Sequence, residues 1–175
     1  MKNLVLLLLA GITTSMQVVA QETLTPAQAV FERLKALTGE YKVQGLVDTT
    51  VTYRLTAKDS VLLETWQMPN NREEMTAFHM DGEHLVATHY CASNHQPTMQ
   101  WISTQSPVPI EFRMISVRNL ASLDMPHNSG FSYQLAEDKR VIRNEIWKKE
   151  GNEDVSTLIL LPTPPSSAAS ASYNE

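Results

Sequence analysis

Val51-Thr52-Tyr53-Arg54-Leu55, between Thr50 and Thr56, alternates apolar with polar residues. A period of two marks a half-buried β-strand, because successive side chains of a strand point to opposite faces. Tyr41 and Val43 begin the same period just upstream. Downstream, β-rich runs cover roughly 60–68, 72–80, 84–91, 98–105, 109–118, 130–137, 140–149 and 153–161. Turn residues separate them: Lys58-Asp59, Pro69-Asn70-Asn71, Asp81-Gly82, Asn94 to Pro97, Glu137-Asp138 and Gly151-Asn152. Short strands joined by tight turns become antiparallel neighbours. About ten in succession predict an up-and-down meander that closes on itself, a mainly β antiparallel barrel of eight to ten strands over about 40–161. One irregular connection, Asn119 to Ser129, is predicted to carry a short helical turn at Leu120 to Leu123.

Ahead of the strands, Thr25-Pro26-Ala27-Gln28 is a helix start: a capping residue, proline at the first helical position, and Gln28 where a capping box requires it. Ala29, Val30, Leu34 and Leu37 give a helical stripe, and Gly39 is a stop. One N-terminal α-helix is therefore expected over 26–38, packed against an end or side of the barrel.

The first twenty residues have the pattern of a secretory signal peptide: Lys2, an apolar run from Leu4 to Ile12, and a small-residue cleavage site at Ala20. The run is too short for a spanning helix, which needs about 20 apolar residues. The expected product is a soluble exported protein, periplasmic or secreted, beginning at Gln21. Cleavage would remove Lys2 and no acid, taking the charge from −5 to −6. The expected domains are thus a leader at 1–20, a helix-plus-barrel domain at 21–161, and a disordered tail at 162–175, where Pro, Ser and Ala dominate.

The 175-residue length is a prior for one domain, and 42% apolar residues suffice for a core. A net charge of −5 lacks the basic footprint that nucleic acid requires. The single cysteine, Cys91, forbids an internal disulfide.

Two predicted strands have mixed faces. Leu62, Glu64, Trp66 and Met68 share one, and Val141, Arg143, Glu145 and Trp147 share another. Mixed faces suit a barrel holding a cavity with a few polar groups; the alternative is that these charges face solvent. The hairpin around Asp81-Gly82 places Thr76, Phe78, Leu85, Ala87, His89 and Cys91 on one face, and His79 on the other unless a bulge intervenes. His89, Cys91 and His95 offer zinc- or copper-type ligands, but without the paired clusters typical of such sites, so no metal or cofactor is expected. Cys91 with His89 and an orienting carboxylate is the candidate nucleophile arrangement. There is no phosphate-binding glycine loop, and Ser129 does not sit in a nucleophile elbow.

The runs Val51-Thr52-Tyr53-Arg54, Ser60 to Thr65, Glu74 to Gly82, Thr88-His89-Tyr90-Cys91 and Asn94 to Pro97 carry a resemblance, which Asn119 to Ser122 and Glu145-Ile146-Trp147 extend. Over about 32–161 the chain resembles a group of uncharacterised bacterial exported proteins with a lipocalin-like, or calycin, β-barrel. It departs at Ser93 to Thr98, which lacks the Arg of the family pattern Gly-Asn-Gln-Pro-Arg, and with it a basic group at that rim. The resemblance implies a calycin fold and directs attention to Glu64, His79, His89, Tyr90 and Cys91. Together these readings predict a binding protein for a small apolar or amphipathic molecule, with Tyr53, Glu64, Trp66, His79, His89, Cys91 and Trp147 as ligand-binding residues. The alternatives are an enzyme using Cys91, His89 and Glu64, and a filled barrel acting as an envelope-associated interaction protein.

Overall fold

Thr25 caps the first element by two reciprocal bonds. Its hydroxyl accepts from the Gln28 amide at 3.2 Å, and its own amide donates to Gln28 Oε1 at 2.8 Å. The helix that follows, α1, spans Pro26–Lys35 and ends three residues short of the expected boundary. Leu37 and Thr38 continue as tight turns, their amides donating to Leu34 and Lys35 carbonyls at 2.9 and 3.1 Å. Gly39, at φ 143°, then turns the chain into the first strand.

A computed structural model describes residues 23–103 and 108–164. The strands are β1 (Gly39–Val43), β2 (Thr50–Thr56), β3 (Val61–Met68), β4 (Arg72–Asp81), β5 (His84–Tyr90), β6 (Gln96–Trp101), β7 (Ile110–Arg118), β8 (His127–Leu135), β9 (Val141–Lys149) and β10 (Asn152–Pro162). Each pairs antiparallel with its chain neighbours, and β1 also pairs with β10 (Tyr41 opposite Pro162), giving a closed barrel of calycin-like architecture. The expected leader and residues 165–175 lie outside the described residues; the expected tail starts at 162, but Pro162 closes β10 and the Thr163 amide donates to the Glu40 carbonyl at 2.8 Å. The connection 119–126 holds no helical turn at Leu120 to Leu123. Ser122 instead accepts the Asp124 amide on its hydroxyl at 3.2 Å and the Met125 amide on its carbonyl at 3.1 Å, a side-chain bond that competes with helix.

The helix lies at the end of the barrel marked by the β2–β3 and β4–β5 turns, against β4 and β5. Its buried residues Val30, Phe31 and Leu34 join one core with Leu62, Phe78 and Leu85. Above them Phe78, Phe112, Phe131 and Tyr133 pack with ring centroids 5.0–6.1 Å apart, mostly edge to face, each pair adding about 0.5–1.5 kcal/mol beyond area burial. The barrel is therefore filled from the helix end to the level of Tyr133.

A register shift in β8 re-aims one residue. Phe131 and Tyr133 pair with Glu145 and Arg143, but beyond a shift between Asn128 and Gly130 it is Asn128 that pairs with Trp147. The bulge brings an even-numbered side chain onto the odd-numbered inner face.

Candidate functional site

Tyr53, Glu64, Tyr133 and Arg143 meet in the middle of the barrel because their strands present them at one level. Tyr53 lies opposite Glu64 across β2–β3, and Tyr133 opposite Arg143 across β8–β9. One carboxylate oxygen, Glu64 Oε1, accepts from the Tyr53 hydroxyl at 2.6 Å, the Tyr133 hydroxyl at 2.9 Å and Arg143 at 2.5 Å. Arg143 also bonds Tyr133 directly and reaches Glu145 Oε1 through Nε at 2.5 Å. Asn128, delivered by the β8 bulge, donates to the other oxygen of Glu145. Arg143 is 1% exposed and Glu64 is fully buried, so their charges must satisfy one another. Three rings surround the guanidinium: Phe131, Tyr133 and Trp66, at 4.6, 4.9 and 5.5 Å from its carbon.

Burial sets the protonation states. It pushes the phenols of Tyr53 and Tyr133 well above their ordinary pKa, so both remain neutral donors. It opposes the charge of Arg143, but Glu145 and Glu64 outweigh it and the guanidinium is held charged. Burial raises the Glu145 carboxyl, against the pull of Arg143. Glu64 Oε2 is buried and has no hydrogen-bond partner among the described residues.

Above this cluster, at the end opposite α1, opens a pocket of about 560 Å³. Trp66, His89, Asn128, Glu145, Trp147 and Leu158 line it, Leu158 opposite Arg143 in the β9–β10 register, and Leu46, Val47 and Met68 form an apolar lip. Val47 is 80% exposed. His89 is buried, its Nδ1 3.0 Å from the Thr76 hydroxyl and its Nε2 3.7 Å from Glu74. Burial is the main cause lowering its pKa below 6.5, with Glu74 opposing. Cys91 is buried and its sulfur accepts from the Ser93 amide at 3.5 Å; no hydrogen bond joins it to His89 among the described residues. A second recess of about 630 Å³, at the helix end, is lined by Leu37, Tyr41, Lys139 and Arg140 and includes none of the polar cluster.

Of the residues expected from sequence, Tyr53 and Glu64 belong to the polar cluster, Trp66, His89 and Trp147 line the pocket above it, and Cys91 is buried beside His89 and Glu74. His79 does not. It pairs with Val86 in the β4–β5 register, on the face opposite His89, and lines a recess beneath α1. No bulge interrupts that hairpin to reverse its parity. Tyr90 is 46% exposed, on the outer face with Met75. Sequence reading does not single out Tyr133, Arg143, Glu145 or Asn128 as site residues. The alternation Val141, Arg143, Glu145, Trp147 is the signal for two of them; Asn128 has none, because a bulge places it.

No protein-family model matches the chain, and no curated protein matches it.

Proposed function

We propose that the chain is an exported, lipocalin-like binding protein for a small apolar or amphipathic molecule, related to the calycin-barrel family it resembles. The observation that carries this reading is the pocket: about 560 Å³, apolar at its lip and polar at its floor. Ligand sites of this kind occupy roughly 300–1,000 Å³ and use a few placed polar groups to fix orientation. An apolar tail fits against Trp66, Met68, Trp147 and Leu158, while Glu145, Asn128 and His89 offer hydrogen bonds to a head group. The leader-like start of the sequence supports export.

The test is titration of the purified protein with a fluorescent long-chain fatty acid and with the corresponding amine, followed by tryptophan quenching. Saturable one-to-one binding of either, weakened about tenfold or more (1.4 kcal/mol) by Val47→Asp, is the expected result. Val47 is exposed, so this change leaves the fold intact. Absence of saturable binding by both probes, or binding indifferent to Val47→Asp, overturns the reading.

A further inference from the structure

The β4–β5 register sets Met75 opposite Tyr90 and Thr76 opposite His89. Glu74 therefore falls beside Cys91 on the inner face, one step from His89. One ligand atom from each of Glu74, His89 and Cys91 lies within 4.8 Å of the other two. His89 Nε2 lies 3.7 Å from Glu74 Oε2. Tetrahedral zinc, with bonds near 2.0–2.3 Å, sets its ligand atoms about 3.3–3.6 Å apart. The His89–Glu74 separation is already close to that spacing.

The surroundings are those of a ligand set. Thr76 holds His89 by Nδ1 at 3.0 Å, which aims Nε2 at the other two ligands; such outer hydrogen bonds fix the ring orientation and tautomer of metal-bound histidines. The backbone of another buried histidine is adjacent: Cys91 N donates to the His95 carbonyl at 3.2 Å. His95 Nε2 is buried without a hydrogen-bond partner, and His95 lies close enough to Glu74 to feel its charge.

We propose that Glu74, His89 and Cys91 form a mononuclear site for a divalent zinc-class ion, with its fourth position open to the pocket. Glu74 and His89 both line that pocket, so the open position faces its interior. On binding, the Cys91 thiol loses its proton to the buffer and the sulfur bonds the metal as thiolate. His89 coordinates through Nε2, and its Nδ1–H donates to the Thr76 hydroxyl. The site stands whether or not the pocket takes an organic ligand.

The test is titration of the untagged protein, under reductant, with Co²⁺ and then Zn²⁺. One equivalent of Co²⁺ is expected to give a thiolate-to-metal charge-transfer band together with the intense visible bands of a tetrahedral ion, both erased by Zn²⁺. Cys91→Ser should abolish the charge-transfer band. Glu74→Gln, at a partly exposed position, should keep that band and weaken binding about tenfold or more. His84→Gln, at an exposed histidine outside the cluster, should change neither. Co²⁺ binding without the thiolate band, no binding at one equivalent, or Glu74→Gln binding as tightly as the parent overturns the proposal. Should Cys91→Ser fail to fold, the parent band and the Glu74→Gln affinity decide.

Discussion

Glu64 and Arg143 are 79 residues apart in the chain and 2.5 Å apart across the barrel. The pair ties β3 to β9, which are not sheet neighbours, and fixes the level at which the filled half of the barrel ends.

Removing one partner should reveal how the pair is held. Arg143→Met leaves two buried carboxylates facing each other, and should cost about 3–5 kcal/mol. Glu64→Gln keeps the volume and an acceptor for Tyr53 and Tyr133, and leaves Arg143 paired with Glu145, so it should cost less stability than Arg143→Met. Glu64→Leu leaves both phenols without their acceptor, at about 1–3 kcal/mol for each buried group. Urea denaturation separates these outcomes.

Leu34 is fully buried between α1 and the barrel. Leu34→Ala should destabilise by about 2–5 kcal/mol, read as a lower urea midpoint. An unchanged midpoint would mean that the helix is not anchored on this face.

Gly130 pairs with Arg113 across β7 and β8. A Cβ there would lie 2.6 Å from the Phe112 carbonyl oxygen, a backbone atom that cannot swing aside. Gly130→Ala should therefore cost about 1–3 kcal/mol by overpacking, whereas Gly45→Ala meets no atom within 4 Å and tests only the positive φ of that turn. Thermal unfolding of both variants makes the comparison.

His89 binds fewer protons folded than unfolded, since its folded pKa is lowered. Its contribution is full above pH 6.5 and is lost as pH falls through the folded value. His95, also lowered by burial, adds in the same direction. Glu145 opposes them at lower pH, because its raised folded pKa favours the folded state as it protonates. Stability should thus fall as pH drops below 6.5, and His89→Gln should flatten that slope. Denaturation midpoints across this range provide the check.

The barrel was legible because its strands keep period two and its turns carry their own chemistry. Alternation also places Glu64 between Leu62 and Trp66, where a buried acid requires a donor nearby; that Tyr53 is the one that meets it is seen only in the structure. What parity alone could not supply were the cross-barrel partners. Tyr133 and Arg143 reach Glu64 only because ten strands close into a ring, and the pairing of strands far apart in sequence leaves no local pattern. Asn128 enters the site through a bulge, which alternation cannot foresee. His79 shows the reverse case: it is expected at the site only if a bulge intervenes in the β4–β5 hairpin, and the hairpin has none, so it lies on the face opposite His89.

The pairing of β1 with β10 has a consequence for truncation. The amide of Thr163 donates to the Glu40 carbonyl at 2.8 Å, so the last strand seals the first. A chain stopped at Gly151 would not simply be shorter by one strand. It would uncover the hydrogen-bonding rims of both β1 and β9 at once, turning a ring into a sheet with two bare edges. Such edges are templates for other chains, and the eleven-residue strand Asn152–Pro162 covers both of them at once.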